Sequence, residues 1–215
     1  GALIMTHSDD NGLVLPPNLA PYQVVIVPIY KGEDQQKEIA QVAQKIKSKL
    51  EEKNIRVKFD NRDKFKQGFK FHEYELKGVP VRIALGPRDL ENKTLEIARR
   101  DTLTKESFQW EDMPIAEKIG GLLEEIQDGI YQKAFDFRKE NTTEVNSWEE
   151  FKQVLEDKAG FLSAHWDGSP ETEDKIKELT KATIRCIPLD QVPEQGVCIY
   201  SGKPSSGRVL FAKAY

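Results

Sequence analysis

The stretch that decides the fold is residues 24–50, VVIVPIYKGEDQQKEIAQVAQKIKSKL. Val24 to Ile29 is a mostly β-branched run with no polar alternation, the pattern of a strand covered on both faces in a parallel sheet. Lys31-Gly32-Glu33-Asp34 breaks the run. Ile39, Val42, Ala43, Ile46 and Leu50 then recur at three- and four-residue intervals, which lays one apolar stripe along a helix. Strand, turn and amphipathic helix make half of a βαβ unit and place the chain in the α/β class.

Working downstream, Arg56-Val57-Lys58-Phe59 alternates and stops at Asp60-Asn61-Arg62-Asp63. Val79 to Leu85 reads as a second buried strand, closed by Gly86-Pro87. Between them Phe69 to Lys77 is a short helix candidate ending at Gly78, a residue suited to the helix C-terminus. Thr94 to Ala98 and Glu106 to Trp110 are two further strand candidates. Pro114 opens a long helix with Ile115, Ile119, Leu122, Leu123, Ile126 and Ile130 on one face. These elements predict a mixed sheet with helices on both faces.

After Asn141-Thr142-Thr143 the composition shifts. Trp148 to Leu155 is amphipathic, Trp166 to Pro170 is a turn, and Glu173 to Leu179 is a short helix. Val197 to Tyr200 and Val209 to Ala212 read as strands joined by a Gly/Pro/Ser-rich segment, so a small α+β domain is expected. At the other end, Ala2-Leu3-Ile4-Met5 has no alternation and predicts a strand, with Asp9 to Gly12 as a turn and Leu13-Val14-Leu15 as the return. Such a hairpin needs a sheet to join, either upstream or in the domain that follows. Pro16 to Pro21 reads as a linker, because proline fixes φ and removes donors.

A chain of 215 residues, 32% charged and 38% hydrophobic, is long enough for one large or two small domains and has no run of bilayer-spanning length. No secretory or lipidation signal is legible, which leaves the cytoplasm as the default and no membrane partner. Two cysteines are too few for a disulfide framework. The net charge of −4 hides an uneven distribution: residues 56–88 carry nine Lys/Arg against four acids, +5 in all, leaving −9 elsewhere. Such a local basic patch suits phosphate, although a solvated surface produces the same counts.

No catalytic constellation is visible. His7, His72 and His165 have no Cys or Glu partner at metal or triad spacing, and no Gly-rich loop matches a dinucleotide or phosphate-loop pattern. Residues 60–89, DNRDKFKQGFKFHEYELKGVPVRIALGPRD, mix cations, carboxylates and aromatics where loops meet strand ends. Phe69, Phe71 and Tyr74 could stack on unpaired bases, while Glu75 or Asp89 could accept from a guanine. The competing reading makes Phe71 and Tyr74 core residues with solvated charges around them.

The order of residues 1–30, then 60–90, then RRDT at 99–102, KATIRCIPL at 181–189 and VLFAKAY at 209–215 resembles the C-terminal part of the prolyl-tRNA synthetases of archaeal/eukaryotic-like type, over the whole chain. That resemblance implies a class II anticodon-binding domain, a mixed five-stranded sheet with flanking helices, followed by a small α+β domain. It divides the chain into residues 1–21, the end of a catalytic domain after motif 3 with its linker; 22–138, the anticodon-binding domain; and 139–215, a zinc-type domain. It implies anticodon contacts at Glu75, Arg82, Arg88, Asp89 and Lys105, with Phe71 as stacking support; Arg88 stands where relatives can have lysine. Thr6 and His7 would border the amino-acid pocket of a whole enzyme, and Tyr215 would approach the catalytic domain.

In such an enzyme ATP and Mg drive proline activation, and the partners are tRNA(Pro), the N-terminal catalytic domain and a second copy in a homodimer. No catalytic residue is expected in this chain, because the motif arginines that hold ATP are absent from it. Family members carry zinc on a C-x4-C pair and a C-x2-C pair; the matching positions here are Asp167, Thr172, Cys198 and Ser201. Three thiolates are missing, so no zinc is expected, and Cys186 is expected to be a buried thiol. A stand-alone protein-interaction module derived from the same region is the alternative.

Overall fold

The computed structural model describes residues 1–110, 114–158 and 160–213. Contacts divide the chain into two compact units, Gly1–Ala134 and Phe135–Tyr215. The first runs α1 (Ala2–His7), β1 (Val24–Pro28), α2 (Glu33–Glu51), β2 (Val57–Phe59), α3 (Gln67–Leu76), β3 (Val81–Leu85), α4 (Pro87–Asn92), β4 (Thr94–Arg99), β5 (Lys105–Gln109) and most of α5 (Ile115–Glu140).

The β-branched run at residues 24–28 is a central strand. β1 is buried at every position and pairs in parallel with both β2 and β3, while β4 and β5 add antiparallel, in the order β2-β1-β3-β4-β5. One face of this mixed sheet is closed by the two predicted stripes. Ile39, Ala43, Ile46 and Leu50 of α2, with Ile115, Ile119, Leu122, Leu123, Ile126 and Ile130 of α5, pack on Val24, Ile26, Ile83, Leu95 and Ile97. The opposite face is only partly covered. Tyr74 and Phe71 of α3 pack on Val25, Val27 and Val79, which shields β1. By strand alternation the rest of this face carries Arg82 and Ala84 of β3 and Ala98 of β4, which are buried, and Glu96 of β4 with Lys105 and Ser107 of β5, which open toward solvent at the sheet edge.

The N-terminal segment departs from expectation. Ala2–His7 is a helix, not a strand, and Met5 is exposed on it. A four-residue apolar run without period cannot distinguish the two states, and Ala, Leu and Met favour helix. No hairpin follows either. Leu13 and Leu15 donate their N–H groups to the carbonyls of Leu76 and Gly78, tying the extended segment to the end of α3. Gly12 permits this approach: its φ is +124°, and a Cβ there would lie 2.6 Å from the Leu76 backbone.

The second unit is the expected small α+β arrangement. β6 (Thr142–Glu144), β7 (Phe161–His165), β8 (Ala182–Cys186) and β11 (Arg208–Lys213) form a sheet in the order β6-β7-β11-β8. α6 (Trp148–Asp157) and α7 (Pro170–Thr180) bury Phe151 and Ile176 against Leu162, Ala164 and Phe211 of that sheet. The strand expected at Val197 to Tyr200 is confined to Gly196–Val197. It belongs to a separate two-strand ladder, β9 (Gly196–Val197) with β10 (Pro204–Ser205). Cys186 is exposed rather than buried, whereas Cys198 is buried. The reason is its place at the end of an edge strand whose exposure rises along its length and whose register with β11 shifts at Leu210/Phe211. Among the described residues no helix is long and apolar enough to cross a membrane.

Candidate nucleic-acid interface

The face of the first sheet beside α3 is where the chemistry gathers. Arg82 enters it from the middle of β3, a strand otherwise built of Val, Ile, Ala and Leu, and is 5% exposed. A guanidinium at such depth needs partners. Phe71 supplies one, with its ring centroid 3.6 Å from Arg82 Cζ. Glu96 supplies another by accepting from Nη1 at 3.0 Å. Arg82 Nη2 is fully buried and has no hydrogen-bond partner among the described residues. An unsatisfied buried charged donor costs about 1–3 kcal/mol or more, and this nitrogen is one that the described residues leave without an acceptor.

Around that donor the sheet and α3 place complementary groups. Glu75 lies one helical turn beyond Phe71 on the same flank of α3, and both line a small cleft with Arg82, Ala98 and Arg100. The Glu75 carboxylate forms no hydrogen bond or ion pair among the described residues, while its backbone carbonyl accepts from Arg100 Nε at 2.9 Å. Lys105 stands directly across β4 from Ala98, with Nζ 3.9 Å from the Glu96 carboxylate. The face therefore combines an aromatic ring, a free carboxylate, a half-paired guanidinium and an exposed ammonium.

Of the residues singled out from sequence, Phe71, Glu75, Arg82 and Lys105 share this face. Asp89 lies at its far end. One of its oxygens accepts the Gly86 N–H at 2.8 Å and the other the Thr94 hydroxyl at 3.3 Å, and Thr94 is two positions before Glu96 on β4. Its carboxylate is thus committed to fixing the start of α4. Arg88 is exposed on α4 with no ion pair among the described residues. Thr6 is exposed and His7 half-buried at the end of α1, and among the described residues no hydrogen bond links either to the cluster. Tyr215 lies outside the described residues.

Two supporting groups escaped the sequence reading. Glu96 looks like the solvent face of an alternating strand, and only the register shows that Arg82 and Lys105 flank it. Arg100, 3% exposed, donates to both oxygens of Asp9 at 2.6 and 2.8 Å, to Gly12 O and to Glu75 O. It thereby locks the end of α3 against the N-terminal turn. The start of α3 is locked by a second network at Asp60, 1% exposed. Burial raises its carboxyl pKa, but hydrogen bonds from the Arg62 side chain and backbone and the charges of Lys70 and Arg62 prevail and hold it at about 2. Lys70 and Tyr74, both buried on α3, reach the same residue at Asp60 O and Oδ2.

The positions where the resemblance places zinc ligands lie in the second unit. Asp167 Oδ1 accepts from Ser169 N and Oγ, and Oδ2 accepts from Thr172 Oγ1 at 2.9 Å and Ser201 Oγ at 2.6 Å. Three of the four positions therefore meet, but as a hydrogen-bond cluster. A hydroxyl pair, one carboxylate and one thiol do not fit a structural zinc, which takes thiolates and imidazoles. Among the described residues no group of three or more His, Cys, Asp or Glu is arranged to hold a metal.

Comparison with known proteins agrees with this layout. Residues 23–124 match the family described as anticodon binding domain, and residues 148–215 match prolyl-tRNA synthetase, C-terminal. Over its full length the chain is 60% identical to the proline–tRNA ligase of Christiangramia forsetii, 63% to that of Flavobacterium psychrophilum and 61% to that of Porphyromonas gingivalis. It covers 43% of each, so it spans less than half the length of the curated relatives it matches.

Proposed function

Because this chain belongs to the prolyl-tRNA synthetase family, as the C-terminal part of such a protein, we propose that it is the portion that recognises tRNA(Pro) by its anticodon. The whole protein is then a proline–tRNA ligase of the cytoplasm, acting as a homodimer that uses ATP and Mg to attach L-proline to tRNA(Pro). The catalytic domain lies outside these 215 residues, and the chain alone does not aminoacylate. The matches of both units favour this reading over a stand-alone protein-interaction module.

The observation that carries it is the buried, half-satisfied guanidinium of Arg82 beside the free carboxylate of Glu75. The proline anticodon presents adjacent guanines. A guanine offers O6 and N7 as acceptors and N1–H and N2–H as donors, the complement of an arginine next to a carboxylate. In this reading Arg82 Nη2 donates to a guanine acceptor, Glu75 accepts from the N1/N2 edge, and Phe71 holds Arg82 flat from behind. Arg88 approaches the second guanine, Lys105 contacts the phosphates, and Asp89 contributes by fixing the end of the face. Thr6 and His7 belong to the border of the amino-acid pocket in the whole enzyme.

The test is fluorescence anisotropy with a labelled tRNA(Pro) anticodon stem-loop and the 215-residue chain. Replacing both guanines by adenines is expected to weaken binding about a hundredfold, since each well-paired base is worth about 1–3 kcal/mol. Equal binding of the two loops would overturn the proposal.

A further inference from the structure

The segment before and into α3 carries surface that neither the fold nor the guanine-facing cluster uses. Phe65 is 40% and Phe69 52% exposed, yet their rings stack with centroids 4.7 Å apart and planes within 15°. The Arg62 guanidinium lies over the Phe65 ring, 4.9 Å from its centroid. That guanidinium is held in turn by both oxygens of Asp60, at 2.9 and 2.7 Å, and by Glu73. Lys64 and Lys66 flank Phe65 and are exposed, and their ammonium groups form no ion pair among the described residues. In residues 61–69 three cations face one acid, Asp63.

Two parallel aromatic rings left half in water do little for the core, but they are the surface on which an unpaired base stacks. Interleaved cations supply the complement to its phosphates. The position also fits. Phe69 lies in the first turn of α3, roughly 160° around the helix axis from Phe71 and about 9 Å along it from Glu75. The platform is therefore on the opposite flank of the same helix, within a few nucleotides of the guanine site. Stacking on such rings is open to any base, because every base has a π-face.

We infer that Phe65 and Phe69 form a sequence-tolerant stacking platform for one unpaired nucleotide of the same RNA, outside the guanine pair, with Lys64 and Lys66 on the adjoining phosphates. This rests on the reading of the chain as an anticodon binder. The test measures binding of the tRNA(Pro) stem-loop to the wild-type chain and to the Phe65→Leu/Phe69→Leu variant, with each loop nucleotide outside the triplet made abasic in turn. The platform predicts about tenfold weaker binding for the variant, since stacking is worth about that per base. It also predicts one abasic position that weakens the wild type equally and adds no loss to the variant. Circular dichroism confirms that the variant is folded.

Unchanged affinity in the variant, or a loss that every abasic position adds to, overturns the platform. So does a platform that captures protein but leaves RNA binding untouched. The guanine-to-adenine loop separates the two readings: if it still discriminates on the wild type while the platform variant behaves normally, only the platform fails. If no loop binds, both fail.

Discussion

Two polar clusters of similar size, one on the sheet of the first unit and one around Asp167 in the second, are built to opposite rules. Around Asp167 every donor is answered: Ser169, Thr172 and Ser201 all donate to one carboxylate, and residues 34 apart in sequence are joined by it. On the sheet face the count is left open. Among the described residues Arg82 keeps an unpaired buried nitrogen and Glu75 an unpaired carboxylate within one cleft. A saturated cluster holds structure together, whereas an unsaturated one stores a demand for a ligand. The two clusters therefore give opposite responses when a member is removed.

The largest expected effect is on the open cluster. Arg82→Ala removes the donor and leaves Glu96 with Lys105 as its remaining partner. Binding of the tRNA(Pro) stem-loop should weaken ten- to a hundredfold, about 1–3 kcal/mol, as measured by anisotropy. A wild-type affinity in this variant would show that the open cluster does not bind the RNA.

Asp167→Ala should do the reverse. Stranding Thr172 and Ser201 costs about 1–3 kcal/mol of stability, visible as a lower denaturant midpoint for the second unit. If the midpoint does not move, the cluster is not structural. The same carboxylate gives a pH test. Burial raises its pKa, yet the Ser201, Ser169 and Thr172 donors outweigh it and hold it at about 2, below the ordinary carboxylate value. A lowered folded-state pKa means stability fully present above about pH 4 and lost as pH falls toward 2. Asp60 in the first unit, also at about 2, should lose its contribution over the same window. Acid titration followed by circular dichroism should show a stability plateau above pH 4 and a steep fall below it.

Smaller effects sharpen the open cluster further. Glu96→Gln keeps an acceptor for Arg82 but removes a charge, so discrimination between guanine and adenine should fall by less than tenfold. Lys105→Ala should lower the slope of log affinity against log salt by about one while leaving base discrimination intact, because a phosphate contact carries no base information.

How much of this was legible in the sequence follows from the range of the interactions involved. The buried run at 24–29 and the stripes of α2 and α5 were readable because burial on a regular element writes a local period. The N-terminal helix was not, since Ala2 to Met5 carries no period in either sense. Glu96 and Arg100 were missed for another reason: their partners come from other strands and from the N-terminal turn, and nothing local marks them. Cys186 was misplaced because its strand looks like an interior one until the sheet order makes it an edge. Phe71, Glu75, Arg82 and Lys105 were named through resemblance. Composition alone left Phe71 undecided between core and site, and the structure gives it a share of both, against Val25 and Val27 on one side and Arg82 on the other.

The most direct test of the central claim is a double-mutant cycle between Glu75 and the guanine edge it is proposed to read, using stem-loops with guanine or inosine in the triplet. Inosine lacks the 2-amino group. Inosine is expected to weaken binding to the wild-type chain about tenfold, whereas Glu75→Ala, which removes the acceptor, is expected to bind both loops alike. An equal inosine penalty in the two proteins would contradict that claim.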